Sequence, residues 1–217
     1  MASSFLAKTA LATGAAGGVA GGAYLASPHI FPEKEKIEAR LTKDKWEVLS
    51  FDGKDDKWKE IYNQYKTKEL TDPSRFDKEI AKDEAESTGL PKLKKNCREA
   101  LTQEFKESLY RTVTKWCVVP IGVADRLIAL GENYKKINVE STDANTDDAE
   151  WKSKETDFKA NLEFNNTYLG VTLPSSKGTQ EENIKLLKEG CKKHMNKKNY
   201  ESDFEGSMSK VKKWCGK

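Results

Sequence analysis

The sequence predicts a mainly α protein in which an N-terminal transmembrane helix precedes two duplicated small helical modules. Three observations carry this reading. A Gly/Ala-rich leader has no charge, a set of landmarks occurs twice in one order, and apolar residues recur three and four apart through most of the remainder. The boundaries are 1–32 for the anchor, 33–119 for the first module and 120–217 for the second. Short apolar runs at Trp46–Phe51 and Tyr168–Leu173 leave room for minor β structure.

From Thr9 to Pro32 the chain has no Asp, Glu, Lys or Arg. Twenty-four residues at 1.5 Å each make ~36 Å of helix, enough to cross a ~30 Å hydrocarbon layer. Lys8 and the terminal amine form a positive flank that stays inside, so the modules are expected outside the cell. Gly14, Gly18 and Gly22 recur every four positions, a small-residue spacing that permits close packing of two membrane helices and a weak homodimer. Two other readings stay open here. Five Gly and seven Ala between Thr9 and Ser27 also suit a flexible linker, and Ala20 or Ala26 suits a signal-peptidase site that would release a secreted, soluble binding module.

The duplication rests on four landmarks. Ile37, Arg40 and Leu41 correspond to Val123, Arg126 and Leu127, 86 residues on. The acidic pair Asp55–Asp56 ahead of Trp58-Lys59 corresponds to Asp147–Asp148 ahead of Trp151-Lys152. Leu93-Lys94-x-x-Cys97 corresponds to Leu187-Lys188-x-x-Cys191, and Val113-x-Lys115-Trp116-Cys117 to Val211-x-Lys213-Trp214-Cys215. The later offsets are 93, 94 and 98, a drift that loop insertions explain. Trp and Cys are scarce in this chain, so their recurrence in one order is specific. Val118-Val119-Pro120-Ile121-Gly122 is the natural joint, because proline disfavours helix at the residue before it.

Within the modules, Trp58, Ile61, Tyr62 and Tyr65 lie on one helical face, started by the acidic pair. Phe76 and Ile80 after Pro73-Ser74 give a shorter stripe. Leu93, Cys97, Leu101, Phe105, Leu109, Val113 and Cys117 are spaced by four, and Ile184, Leu187, Cys191 and Met195 form the matching stripe. Ser202 with Glu205 reads as a capping box ahead of Met208, Val211 and Trp214. Trp58, Trp116, Trp151 and Trp214 read as core anchors of the repeat, with an exposed aromatic patch as the rival role.

Each module carries two cysteines, and four cysteines allow three pairings. Duplication favours Cys97 with Cys117 and Cys191 with Cys215, since a single ancestral unit had only its own pair. One unbroken helix would hold Cys97 and Cys117 ~30 Å apart, whereas a disulfide needs Cα atoms within ~7 Å. Pairing therefore requires a hairpin turn between Glu99 and Lys106; Asn196–Asn199 supplies an evident turn in the second module. Buried free thiols and cross-module bridges remain the alternatives.

Composition restricts the function. Of 217 residues, 36% are hydrophobic and 34% charged, against ~45–50% and ~25% in ordinary domains. Thirty-eight Lys plus Arg balance 35 Asp plus Glu to +3, which excludes a dedicated nucleic-acid binder. Mean hydropathy is -0.79, which excludes a multi-span membrane protein. No Gly-x-x-x-x-Gly-Lys, Gly-x-Gly-x-x-Gly or Gly-x-Ser-x-Gly occurs, and no catalytic residue, cofactor or metal ligand is assigned. Cys191-x-x-His194 has zinc-ligand spacing, but Ala100 stands at the matching place and His194 reads as a solvated residue among lysines. The Asp pairs read as helix caps, leaving a carboxylate hydrolase as a remote rival.

The Gly/Ala-rich span, the acidic pairs ahead of tryptophan, the Leu-Lys-x-x-Cys segments and Lys115-Trp116-Cys117-Val118-Val119-Pro120 together resemble the paralogous membrane-anchored proteins of haemotropic mycoplasmas. The resemblance covers nearly the whole chain. It implies exposure at the surface of a wall-less, blood-borne bacterium, with antigenic diversification or host contact as the role, and it brings no catalytic residues. The second module departs from the pattern, ending in Cys215-Gly216-Lys217 without Val-Val-Pro. The expected protein is non-enzymatic and single-pass, displayed outside the cell membrane, with the bilayer and a host protein as partners.

Overall fold

The structure, a computed structural model, describes residues 34–52, 56–76, 79–131, 133–140, 147–161, 169–171 and 178–217. The expected membrane span, with Gly14, Gly18 and Gly22, lies outside these residues. Among those described, no helix is long and apolar enough to cross a membrane. The chain divides into two compact units, Met1–Lys34 and Glu35–Lys217, and the helices described belong to the second.

The fold is mainly helical. Among the described residues eight helices run in order: α1 Ile37–Lys43, α2 Asp56–Tyr65, α3 Glu86–Leu101, α4 Glu107–Trp116, α5 Val123–Leu130, α6 Asp148–Ala160, α7 Gln180–Met195 and α8 Phe204–Trp214. Among the described residues, β pairing is limited to four isolated antiparallel bridges, Lys36 with Glu104, Val48 with Val118, Gly122 with Lys198 and Lys136 with Gly216. The apolar run Trp46–Phe51 thus contributes a single bridge at Val48, and 169–171, the described part of the second run, contributes none.

Helix α2 forms where the 3.6-residue period places Trp58, Ile61, Tyr62 and Tyr65 on one side, and all four are fully buried. Asp56 in its first turn opposes the positive end of the helix dipole. Phe76 and Ile80 do not extend a helical stripe, because residues 66–76 and 79–84 run as turns and bends. The buried Arg75 accounts for this: its guanidinium donates to the carbonyls of Tyr65, Lys68 and Ile80 and lies over the Tyr65 ring, closing the turns around itself.

Although apolar residues continue every fourth position from Leu93 to Cys117, the helix breaks between α3 and α4. At the break the Phe105 amide donates to Glu35 O (2.7 Å), and the Ile37 amide at the start of α1 donates to Gln103 O (3.0 Å). Neither α1 nor α5 has a side-chain cap. Their first amides are satisfied by the turn of the next hairpin, Ile37 by Gln103 O and Val123 by Lys197 O, both at 3.0 Å. The capping box belongs to α7, where Thr179 Oγ1 accepts from Glu182 N and Glu182 Oε2 from Thr179 N. The box expected at Ser202–Glu205 does not form, because α8 starts at Phe204 and its N-cap Asp203 turns its carboxylate to Lys197 Nζ (2.7 Å).

The apolar interior falls into two clusters. One is drawn from Ile37 to Val118 around Trp58, Tyr62, Tyr65 and Trp116, the other from Val123 to Cys215 around Trp151, Phe158 and Trp214. Trp46 packs against both.

Candidate functional site

The cysteines pair within each half. Cys97 joins Cys117 and Cys191 joins Cys215, each with Cα atoms 5.5 Å apart. Each bridge ties the third helix of its half to the end of the fourth, α3 to α4 and α7 to α8. All four sulfurs belong to fully buried residues. With Cys191 in a disulfide, the Cys191-x-x-His194 spacing offers no thiolate for a metal. No group of three His, Cys, Asp or Glu able to hold a metal occurs among the described residues.

His194 is not solvated. It is 4% exposed, and its Nδ1 lies 2.8 Å from Ser207 Oγ on α8. Burial holds its imidazole below the ordinary histidine range, with Lys210 and Lys197 adding to the effect. The sequence position of His194 matches that of Ala100, a core residue of the first cluster, which is the signal that points to burial.

The tryptophans sit in recurring settings. Trp58 Nε1 donates to Ser50 O (2.7 Å), and Trp151 Nε1 to Asn138 O (2.8 Å). Trp116 meets the Tyr65 ring edge-on at 5.1 Å, and Trp214 meets Phe158 edge-on at 5.0 Å. All four are at most 3% exposed, a core placement for each.

The second Asp pair does not cap through Asp147. Asp147 precedes α6 without a side-chain cap bond. Its carboxylate accepts from the Asn138 amide (2.7 Å) and from Lys217 Nζ (2.6 Å), which hold it below the usual carboxylate range. It ties the loop before α6 to the last residue of the chain. Asp55 lies outside the described residues. Beside Asp147 a groove of about 420 Å³ runs along Ile137–Glu140 and Met195. Of its lining charges, Lys192 pairs with Glu140 at 2.8 Å and Asp147 pairs with Lys217.

A polar network lies where the halves meet, and its centre is Arg126, which the sequence marks as a repeat landmark. Arg126 projects from α5 and donates to Lys45 O (2.8 Å) and Asp44 O (2.6 Å) at the end of α1. Its guanidinium stacks over the Trp46 ring at 3.6 Å. Trp46 Nε1 donates to the Tyr110 hydroxyl (3.1 Å), which donates to Asp44 Oδ2 (2.5 Å). Burial alone would raise the Asp44 carboxyl, but Tyr110 and Arg40 donate to it and hold it down. Burial and the bond to Asp44 push the Tyr110 phenol well up. On the other side of the joint, Asn199 receives the Ile121 amide on Oδ1 (3.0 Å) and donates Nδ2 to Thr114 O (2.7 Å). Tyr200 donates to Glu60 on α2 (2.9 Å).

Chemically, the residues at the joint clamp main-chain carbonyls and orient side chains across it. Compared with protein-family models, curated proteins and solved structures, the chain matches none.

Proposed function

We propose that the chain is a non-enzymatic display protein, tethered to the cell membrane by its first 32 residues, with the helical unit from Glu35 onward outside the cell. Its work is interaction with a host protein or antigenic variation, in keeping with the resemblance to the membrane-anchored paralogues of haemotropic mycoplasmas. The observation that carries this reading is the pair of buried disulfides, one in each half. Such bridges persist in oxidising surroundings outside the cytosol and stabilise small units with lean cores.

The unit from Glu35 onward is read as two tandem copies of one four-helix building block. Support comes from main-chain bonds that recur at matched positions. Val119 N donates to Glu47 O and Lys217 N to Lys135 O, both at 2.8 Å. The tryptophan–carbonyl bonds, edge-on aromatic pairs and disulfides recur with them. The clamp at Arg126 and Asn199 reaches main-chain carbonyls of Asp44, Lys45 and Thr114, so many first-half side chains can vary without breaking it.

Protease applied to intact cells tests the topology: release of the helical unit is expected, and full protection overturns it. Intact mass before and after reduction and alkylation is expected to show four alkylations only after reduction. A mature chain beginning near Ser27 would favour the secreted form instead.

A further inference from the structure

We propose that the α7–α8 hairpin is an acid-responsive latch, in which proton uptake at His194 loosens the hairpin and releases the second half from its clamp on the first. A matched pair between the third and fourth helices differs between the halves. In the first the positions are the buried Ala100 and the partly buried Leu109, which packs against the apolar core, and in the second they are the buried His194 and Ser207, joined at 2.8 Å. The first half therefore folds without a histidine here, and at this pair the second half alone carries a titratable group.

The hairpin turn also docks the halves: Asn199 donates to Thr114 O and Tyr200 to Glu60 of the first half, while within the second half Asn199 Oδ1 and Lys197 O receive the Ile121 and Val123 amides that lead into α5. The turn is tied back to α7 by Lys197 N donating to His194 O (3.4 Å). A change at His194 thus acts on the residue pair that bridges to the first half.

The surrounding charges oppose a cation. Lys210 on α8, Lys197 in the turn and Lys193 on α7 act on the ring with like charge, and the Asp203 carboxylate acts the other way. Asp203 is engaged by Lys197 at 2.7 Å, and Glu201 lies 3.7 Å from the same ammonium. On α5, Asp125 approaches the turn beside Gly122, near the Met195 carbonyl. The buried acid of α6, Glu155, bonds to Asn183 and Gln180 in the first turn of α7, at the other end of that helix from His194. The carbonyl end of α7 favours a cation, but burial and three ammonium groups outweigh it and keep the ring neutral near pH 7. An unfolded histidine takes its proton near ~6.5 and the folded one lower. Stability of the hairpin is therefore complete above about pH 6.5 and declines as pH falls through the interval beneath.

The test is amide hydrogen exchange on the full, oxidised chain at about pH 7.5 and pH 5, corrected for intrinsic rates. Ile121, Val123 and Asn199 report the latch; Ile37 and Phe105, bonded in the equivalent places of the first half, are the controls. Protection at the three latch amides is expected to fall tenfold or more at pH 5 while the controls hold. In His194→Ala with Ser207→Leu, which restores the first-half pair, and in His194→Gln, the latch amides are expected to stay protected at both pH values. Equal protection at both pH values in the native chain overturns the proposal. So does an equal acid loss in both variants, or a loss shared by the controls. Loss at pH 7.5 in both variants assigns His194 to packing alone and overturns it as well.

Discussion

The Tyr62 hydroxyl occupies the space that a Cβ on Gly89 would need, 1.8 Å from that position. Helix α2 can lie against α3 only because residue 89 has no side chain, and the Tyr62 hydroxyl then donates to Glu84 O (2.9 Å). In an exposed helix interior, Gly→Ala gains about 1 kcal/mol. Here the sign reverses, because backbone or ring must move to admit the methyl group. Gly89→Ala is expected to destabilise the first half by about 1–3 kcal/mol. Tyr62→Leu combined with Gly89→Ala is expected to recover part of that loss. Denaturant midpoints of the two variants check this, and a stabilised single variant would contradict the packing described.

Arg126 spans two carbonyls and a ring, a fork that lysine cannot reproduce. Arg126→Lys is expected to cost about 1.5–3 kcal/mol, the range for hydrogen bonds to a charged group. That loss falls on coupling between the halves rather than on either core. The native chain is expected to melt in one transition with matching calorimetric and van't Hoff enthalpies, and Arg126→Lys to separate them. A single lowered transition with matching enthalpies would place Arg126 in the common core instead.

The disulfides join cysteines 20 and 24 positions apart. At that length each is expected to contribute about 3 kcal/mol by restricting the unfolded chain. Replacing Cys191 and Cys215 together by alanine should lower Tm by roughly 6–12 °C for a chain of this size. The two paired double variants are expected to lose similar amounts, and a scanning calorimeter reads both.

Much of this architecture was legible because it rests on period and spacing. The α2 stripe follows from Trp58, Ile61, Tyr62 and Tyr65 alone, and a bridge between Cys97 and Cys117 requires a hairpin between them. The position of the first hairpin turn was harder to see, because the apolar period runs straight through Thr102–Lys106 and no Gly or Pro marks the break. What ends α3 there is tertiary, the pairing of Phe105 with Glu35. Asp147 and His194 misled for one reason: local sequence shows a good cap and a lysine-rich helix face. The Lys217 ammonium and the Ser207 hydroxyl that engage them lie 70 and 13 residues away. The Arg126 clamp left no local trace, since its acceptors are main-chain carbonyls that any residue provides.

The place of Tyr62 and Gly89 in the second half is taken by Glu155 and Asn183, and the exchange of both members tests the tandem-copy reading. Asn183 Nδ2 donates to Glu155 Oε1 (2.8 Å), and Glu155 is 2% exposed. Burial by itself would raise that carboxyl, but Asn183, Lys159 and Gln180 hold it below the ordinary glutamate range. Its contribution is therefore present above the unfolded value near ~4.3 and disappears as pH falls through the lower folded value. Glu155→Gln should lower the denaturant midpoint at pH 7, and the gap from the native chain should close by about pH 3. Glu155→Tyr alone presses a phenol against the Asn183 side chain, and Asn183→Gly alone leaves a buried carboxylate short of a donor; each is expected to destabilise. If both halves keep one helix–helix geometry, Glu155→Tyr with Asn183→Gly rebuilds the first-half pair, and the double variant is expected to be more stable than the sum of the single losses by at least about 1 kcal/mol. Strict additivity would mean that α6 meets α7 differently from the way α2 meets α3, and the two halves would then be alike in order of elements but not in packing.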